Sequence, residues 1–285
     1  MRVVRTIADL RDRLAGWRRS GERLGLVPTM GALHAGHMAL VQAGRSDCAR
    51  VVVTIFVNPT QFAPNEDLGS YPRRESADLD LLGSTGVDLA FVPATAEMYP
   101  PQFSTLVRGG GLSEGLCGAH RFGHFDGVAT VVSKLLIQAL PDIAYFGEKD
   151  YQQLLIVRRL ARDLDLPVQI KGVPTVREPD GLALSSRNAY LSSAERRIAP
   201  QFVRVLRSVA ETLEREPAAV AREIEWGRRE LTRAGFDVEY LEVRDAVDLA
   251  PVGAAGSRPC RVLAAAYLGR TRLIDNFPIM PASLT

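Results

Sequence analysis

The chain has 285 residues, of which 46% are hydrophobic and 24% are charged. This length suits one large domain or two ordinary ones, and the composition is that of a soluble globular protein, which excludes a disordered or tail-like protein. Because 35 basic residues nearly balance 33 acidic ones, the net charge of +2 provides no general attraction to nucleic acid or to an anionic membrane.

The cysteines and the apolar runs exclude two further classes of protein. Cys48, Cys117 and Cys260 are far apart and lack C-x-x-C spacing, so we expect neither a disulfide framework nor a cysteine metal site, and a reducing cytoplasm is the expected location. The longest apolar runs fall far short of the ~18 to 20 residues that a membrane span requires.

Short apolar runs alternate with longer amphipathic ones through roughly the first 175 residues, which is typical of β-α-β units in a parallel sheet. An amphipathic first helix carries Ile7, Leu10, Leu14 and Trp17 on one face. The apolar runs predict strands at Leu24–Val27, Arg50–Val57, Val87–Val92, Ile143–Phe146 and Val168–Val173. The other amphipathic segments predict helices at about Ala35–Cys48, Ser76–Thr85, Val128–Ala139 and Tyr151–Leu164.

The pattern changes around Pro174–Ser193, and two consecutive helices are followed by short strands. Ser192 and Glu195 form a capping-box signature, which predicts a helix that runs to about Arg215. We expect a second helix at about Ala218–Ala234, and antiparallel strands at Val238–Arg244, Arg261–Tyr267 and Thr271–Asn276. These elements predict a second, smaller α+β domain.

The segment Pro28–His37 follows the first predicted strand and enters a helix, where an open parallel sheet binds its ligands. Gly31 and Gly36 allow close approach to the backbone, and free N–H groups at a helix start attract anions. His34 and His37 are three residues apart and share a helix face, so the segment predicts a phosphate site. On spacing alone, a glycine loop with two solvated histidines remains the alternative. A zinc site that also uses His120 and His124 is disfavoured, because no H-E-x-x-H pattern is present.

Two further segments carry groups that suit phosphate binding. Gly147–Asp150 follows a buried strand and contains Lys149, one of only three lysines beside 32 arginines. The alternative for this segment is a cluster of charges that faces water at a helix start. Ser185–Asn188 offers two hydroxyls and a guanidinium, which can surround a polyphosphate, although a polar turn before a helix has the same composition.

Taken together, these segments resemble one family. Pro28–His37 contains the H-x-G-H pattern of the nucleotidyltransferase superfamily, and Phe56–Phe62 reads F-V-N-P-T-Q-F. Phe146–Gln153 reads F-G-E-K-D-Y-Q-Q, and Gly181–Asn188 reads G-L-A-L-S-S-R-N. In this order the four blocks span most of the chain and resemble the pantoate–β-alanine ligases. The resemblance implies a Rossmann-like domain over residues 1–176, a smaller C-terminal α+β lid domain over 177–285, and a homodimer.

The resemblance also implies a reaction and its site residues. The family condenses pantoate with β-alanine at the expense of ATP, through a pantoyl adenylate, and releases pyrophosphate and AMP. It places His34, His37, Lys149 and Arg187 in catalysis, and Gln61 and Gln153 at the acid substrate. The nucleotide site that it implies comprises Met30, Gly31, Ala32, Leu33, His34, Ala35, Gly36, His37, Gly147, Glu148, Lys149, Asp150, Val176, Leu184, Ser185, Ser186 and Arg187.

Two positions depart from the family pattern. Family members often carry acidic residues near the metal in the helix after Tyr71, where this chain has Ala77 and then Asp78, so we expect Mg²⁺ to be held mainly by the nucleotide phosphates. Phe122 replaces a common proline beside His124, whose role stays open.

Three other functions are less well supported by the residues. A transferase that adenylates a phosphorylated acceptor would need extra cations where Gln61 and Gln153 stand. A regulator without turnover would not need His34 and His37. Binding to tRNA is disfavoured, because the arginines near Arg228 are interleaved with glutamates.

Overall fold

The computed structural model describes residues 1–64, 66–256 and 258–280. The chain divides into two compact units. Unit 1 contains Met1–Glu148 and Gln153–Pro174, and unit 2 contains Lys149–Gln152 and the chain from Thr175 onward. The expected domain boundary after Val176 stays a prediction.

The strands of unit 1 are β1 (Arg2–Val4), β2 (Leu24–Thr29), β3 (Arg50–Ile55), β4 (Leu89–Phe91), β5 (Ile143–Gly147) and β6 (Gln169–Val173). Among the described residues they form one parallel sheet in the order β1-β4-β3-β2-β5-β6. This confirms the predicted parallel α/β class and its five strands, to which the structure adds β1. Strand β2 pairs with β3 on one side and with β5 on the other, so the loops that follow β2 and β5 leave the sheet side by side. The strand order reverses at β2, and open α/β sheets bind their ligands at such a point, beyond the carboxyl ends of the strands.

The helices that begin in unit 1 are α1 (Ile7–Arg19), α2 (Ala35–Asp47), α3 (Glu75–Ser84), α4 (Thr95–Met98), α5 (Cys117–His120) and α6 (His124–Ala139). Helix α7 (Tyr151–Asp163) begins in unit 2 and continues in unit 1. The central strands are apolar on both faces because helices cover both sides, and Leu26, Val27, Val52 and Val53 are all fully buried. Helix α6 is buried on nearly every side, which explains its almost continuous apolar sequence.

Unit 2 contains β7 (Asp237–Asp245), β8 (Cys260–Leu268) and β9 (Thr271–Ile279), which form an antiparallel sheet with β8 in the centre. Its helices are α8 (Ser193–Ile198), α9 (Pro200–Arg215) and α10 (Val220–Arg233). The predicted capping box is present, since Ser192 and Glu195 bind each other's backbone N–H groups. The single helix predicted from Ser192 to about Arg215 is wrong, because Pro200 lacks an N–H and begins a new helix at its first turn.

No helix in residues 1–64, 66–256 and 258–280 is long and apolar enough to cross a bilayer.

Candidate active site

His34 and His37 together close the start of helix α2. His34 is the N-cap, and its Nδ1 accepts a hydrogen bond from the backbone N–H of Gly36 at 3.1 Å. The Nδ1 atom of His37 accepts from the backbone N–H of His34 at 3.3 Å, so two imidazoles do the work of a capping box. The ring centroids lie 4.1 Å apart. The structure therefore brings the predicted pair together, with His34 just before the helix and His37 in its first turn.

These caps determine which ring nitrogen carries the proton. A nitrogen that accepts an N–H must itself be unprotonated, so each neutral ring bears its hydrogen on Nε2. Both Nε2–H groups are therefore donors. The start of a helix also presents the positive end of the helix dipole. The N–H groups of His34 and Gly36 are bound by the caps, and that of His37 donates to the His34 carbonyl at 2.9 Å. This end of α2 therefore attracts an anion through its dipole and its two imidazoles.

The loop before His34 is fixed by a buried carboxylate from helix α3. Asp78 is 4% exposed, and its two oxygens accept the backbone N–H groups of Ala32 and Leu33, each at 2.8 Å. Gly31 has a φ of +80°, and a Cβ there would lie 3.0 Å from Asp78 Oδ2. The glycine is therefore needed both for its backbone conformation and for the close approach of the carboxylate. Both oxygens of Asp78 serve the loop.

A buried polar network orients Gln61. Asn58, which is 1% exposed, donates from Nδ2 to Gln61 Oε1 and to the Gly127 carbonyl, both at 3.1 Å. Its Oδ1 accepts from the Tyr99 hydroxyl at 2.7 Å. Burial raises the pKa of Tyr99, which keeps that hydroxyl protonated and donating. Because Gln61 Oε1 is taken by Asn58, the Gln61 amide must present its N–H₂ group on the other side, where Nε2 lies 3.1 Å from Met30 Sδ.

His124 supports the same residue from helix α6. Its Nδ1 lies 2.8 Å from the carbonyl of Gln61, so Nδ1 carries the hydrogen and donates. Its Nε2 then accepts from Arg121 Nη1 at 2.9 Å. Arg121 also forms two hydrogen bonds of 2.6 Å to the carboxylate of Glu66. Burial is the largest single influence and would raise the pKa of Glu66, but the hydrogen bonds and charge of Arg121, with smaller contributions from His124 and the Ala63 backbone, together hold the pKa below its ordinary value. The sequence left the role of His124 undetermined, and the structure shows that this side chain holds the backbone carbonyl of Gln61.

A cavity of about 240 Å³ opens at the carboxyl ends of β2, β3 and β4 within unit 1. Its polar lining includes Gly31, Arg73, Arg74, Asp78 and Thr95, and Met30 and Phe56 add apolar contact. The cavity reaches the loop that carries the two histidines. A ligand of a few heavy atoms can therefore lie against this loop.

In unit 2, residues 176–184 form a hairpin that leads into the predicted serine–arginine segment. The N–H of Leu184 donates to the carbonyl of Val176 at 3.0 Å, which makes these two predicted nucleotide-binding residues neighbours. Gly181 has a φ of +93° at the turn. Ser185 then caps a 3-10 helix, Ser186–Tyr190, by accepting from the N–H of Arg187 at 3.2 Å. This cap brings the two serines and Arg187 together in one turn.

Lys149 lies in a short 3-10 turn, Glu148–Asp150, directly after β5. Its ammonium is 3.9 Å from Asp150 Oδ2, and its side chain is only 19% exposed. Its carbonyl accepts from the side chain of Asn276 in β9 at 3.0 Å. The backbone of Lys149 is therefore fixed within unit 2 by Asn276, and its ammonium is only weakly paired with Asp150.

The predicted site residues fall in both units. Unit 1 holds Met30–His37, Gln61, Gly147, Glu148 and Gln153, and unit 2 holds Lys149, Asp150, Val176 and Leu184–Arg187. Gln153 lies in the first turn of α7 and is half-buried. Among the residues described, no group of three or more His, Cys, Asp or Glu side chains could hold a metal ion.

Sequence reasoning missed the residues that support this site. In the sequence Asn58 stands out only as part of the F-V-N-P-T-Q-F block, although an asparagine before proline suits an N-cap whose side chain binds backbone. Asp78 was considered only beside a metal, whereas its carboxylate binds a loop 45 residues away. The pairing of Arg121 with Glu66 crosses 55 residues, and no local pattern could have shown it.

Comparison with known proteins gives consistent results over the whole length. A family model described as pantoate-β-alanine ligase matches residues 2–278. The chain is 56% identical to the pantothenate synthetase of Paramagnetospirillum magneticum over 280 residues, with 98% of each chain covered. It is 46% identical to a solved pantothenate synthetase from Thermus thermophilus, with a TM-score of 0.92 and coverage of 99% of this chain and 100% of that one.

A second solved structure carries ligands. It is a pantoate-β-alanine ligase from Francisella tularensis complexed with β,γ-ATP and β-alanine, and this chain is 34% identical to it, with a TM-score of 0.83 and 97% of each chain covered. The match of the family model and the identity to these relatives extend over nearly all of the chain. This protein therefore belongs to the pantoate–β-alanine ligase family.

Proposed function

We propose that this protein catalyses the ATP-dependent condensation of (R)-pantoate with β-alanine to give pantothenate, AMP and diphosphate. The observation that carries the proposal is the pair of imidazoles at the start of α2 whose Nδ1 atoms accept backbone N–H groups, in a chain that belongs to this family over residues 2–278. The Francisella relative, which was solved with an ATP compound and β-alanine, supports these two substrates.

In the first step a carboxylate oxygen of pantoate attacks the α-phosphorus of ATP. The bond from that phosphorus to the bridging oxygen breaks, diphosphate leaves with the electron pair, and pantoyl adenylate forms. Negative charge grows on the phosphoryl oxygens and on diphosphate, so the site must supply donors and positive charge. His34 and His37 donate from Nε2 to phosphate oxygens. Lys149, Arg187, Ser185 and Ser186 bind the leaving group.

The proposed nucleotide site extends beyond these groups. The backbone of Met30–His37 lies against the phosphates, helped by the positive end of α2. Gly147, Glu148, Asp150, Val176 and Leu184 complete the contacts. Asp78 takes part only indirectly, because both of its oxygens hold the loop.

Pantoate is bound by the amides of Gln61 and Gln153. An amide can bind the hydroxyls of pantoate without placing a full charge beside the nucleophilic carboxylate. Asn58 fixes the Gln61 amide so that its N–H₂ is the group presented. In the second step the neutral amine of β-alanine attacks the acyl carbon, AMP leaves with the electron pair of the acyl–oxygen bond, and the nitrogen releases a proton to solvent.

Magnesium enters this reaction with its substrate, as MgATP. The described side chains fit that arrangement, because the buried acid nearest the histidine loop spends both oxygens on backbone N–H groups. We also propose a homodimer in the cytoplasm with no nucleic acid or membrane partner. The near-zero net charge supports the absence of a nucleic acid or membrane partner, and three widely spaced cysteines without C-x-x-C spacing support the cytoplasm. The homodimer follows from the family resemblance.

Exchange of labelled diphosphate into ATP tests the function directly. An acyl adenylate pathway gives exchange that requires pantoate and does not require β-alanine. Formation of ADP in place of AMP would rule the mechanism out. Replacing pantoate by phosphopantetheine or a mononucleotide distinguishes the second candidate, a transferase with a phosphorylated acceptor. That candidate is disfavoured because amides, and not cations, stand at the acceptor position.

A further inference from the structure

Strand β9 carries two adjacent buried polar residues that the proposed mechanism does not use. Asp275 is 3% exposed and Asn276 is 4% exposed, on a strand whose neighbours Leu273 and Ile279 belong to the apolar core of unit 2. A buried carboxylate and a buried amide are costly unless they are hydrogen bonded. Each residue has a partner in, or in the hairpin that leads to, a segment that carries a predicted cation.

Asn276 holds the segment of Lys149. Its Nδ2 donates to the carbonyl of Lys149 at 3.0 Å, and its Oδ1 accepts from the Arg261 guanidinium. The same guanidinium lies 3.8 Å above the ring of Tyr151, which follows Lys149 by two residues. The hydroxyl of Tyr151 in turn donates to the carbonyl of Ala246 at 2.7 Å. Three side chains thus fix the backbone of residues 149–151.

Asp275 holds the base of the hairpin that leads to Arg187. Its two oxygens accept from Arg177 at 2.6 and 3.0 Å, and Arg177 also donates to the carbonyl of Gly181 at 3.1 Å. The Arg177 guanidinium lies 4.4 Å above the ring of Phe277 on the same strand. Strand β9 also packs against the 3-10 helix Ser186–Tyr190. Both cation-bearing segments of unit 2 are therefore supported by one strand.

We propose that Asn276 and Asp275 are positioning residues for the adenylation step. Asn276 sets where Lys149 stands, and Asp275 sets where the Ser185–Arg187 turn stands, so β9 fixes the two against each other. This inference rests on the proposed function. Displacement of a charge-stabilising group by about 1 Å can cost up to a hundredfold in rate.

Asn276→Asp is the sharpest test of the first half. The aspartate keeps the size of the side chain and still accepts from Arg261, but it has no N–H to donate to the Lys149 carbonyl. We expect the pantoate-dependent exchange rate to fall about tenfold or more at saturating substrate, while the KM for pantoate stays unchanged. Arg272→Ala is the matched control, because it removes another β9 ion pair, the one to Glu239, and should leave exchange unaltered.

A double-mutant cycle separates positioning from general damage. If Asn276 acts through Lys149, adding Asn276→Asp to Lys149→Ala lowers exchange no further. If the Asn276→Asp variant does not fold, the Asn276→Ala variant takes its place in the same cycle. Wild-type exchange in the Asn276 variant, or effects of the two substitutions that multiply, would overturn the inference. A wild-type enzyme without exchange would instead overturn the proposed function.

For the second half, Asp275→Asn removes the charge that Arg177 binds at nearly constant size. We expect a rise in the KM for ATP and a lower exchange rate, with a far-ultraviolet circular dichroism spectrum like that of the wild type. Unchanged kinetics for ATP would show that the Arg177 pair does not position the turn.

Discussion

At the scale of single residues, the proposed mechanism gives each candidate catalytic histidine two tasks. Nδ1 of each ring accepts a backbone N–H, and the proposal assigns Nε2–H to the phosphates, so structure and chemistry would use different atoms of the same ring. Substitutions can therefore remove one task and keep the other. Asparagine carries its acceptor oxygen where histidine carries Nδ1, and it is among the best N-cap residues.

We expect His34→Asn to keep the helix start and to lose the phosphate donor. The midpoint of thermal unfolding should stay close to that of the wild type, whereas the exchange rate should fall about 10²-fold, as when one transition-state donor is removed. Calorimetry and diphosphate exchange check the two halves. His120→Ala serves as the control, since this exposed histidine lies outside the site. Normal exchange in His34→Asn would remove the ring from the chemistry.

The Glu66–Arg121 pair predicts a pH dependence of stability. The folded pKa of Glu66 is lowered, so the pair contributes stability above the unfolded pKa and loses it as the pH falls through the folded pKa. Glu66→Gln should destabilise the protein by about 1.5–3 kcal/mol at neutral pH. The difference from the wild type should shrink as the pH falls below about 4. Urea unfolding from pH 7 to pH 3 measures it, and a constant difference would contradict the assignment.

At the scale of elements, the strands could be predicted from sequence because buried parallel strands are short apolar runs between turn residues. Strand β1 could not be predicted, since Arg2–Val4 has only three residues and the first two are exposed. The break between α8 and α9 was missed because the apolar pattern continues through it. The histidine loop could be located by motif, but its brace by Asp78 depends on how α3 packs, which is a tertiary property.

Gly127 sets how closely α6 approaches the turn that carries Gln61. A Cβ at this position would lie 2.3 Å from the Thr60 carbonyl oxygen and 2.7 Å from the Gln61 nitrogen. Gly127→Ala should therefore cost about 1–3 kcal/mol of stability and raise the KM for pantoate. Gly83→Ala is the matched control, because a Cβ there meets nothing within 4 Å in helix α3, and it should stabilise by about 0.4–1 kcal/mol. Equal behaviour of the two variants would refute the packing argument.

At the scale of the whole molecule, the core of unit 2 is continuous and draws on residues from Leu182 onward. A fragment of residues 175–285 keeps that core and loses only the segment Lys149–Gln152. We expect it to unfold cooperatively on heating, as a single domain of this size does. Leu206→Ala, at a fully buried position, should cost about 2–5 kcal/mol in the fragment. A fragment without a thermal transition would show that its core depends on the rest of the chain.

The central position of β2 has a consequence for synthesis on the ribosome. Leu24–Thr29 is made early, yet one of its edges pairs with Ile143–Gly147, more than a hundred residues later. Until that partner emerges, a nascent chain exposes an apolar strand edge that can pair with other polypeptides. The sheet of unit 1 can therefore be completed only after Ile143–Gly147 has left the ribosome. We expect chaperones that shield apolar segments to bind the growing chain until then.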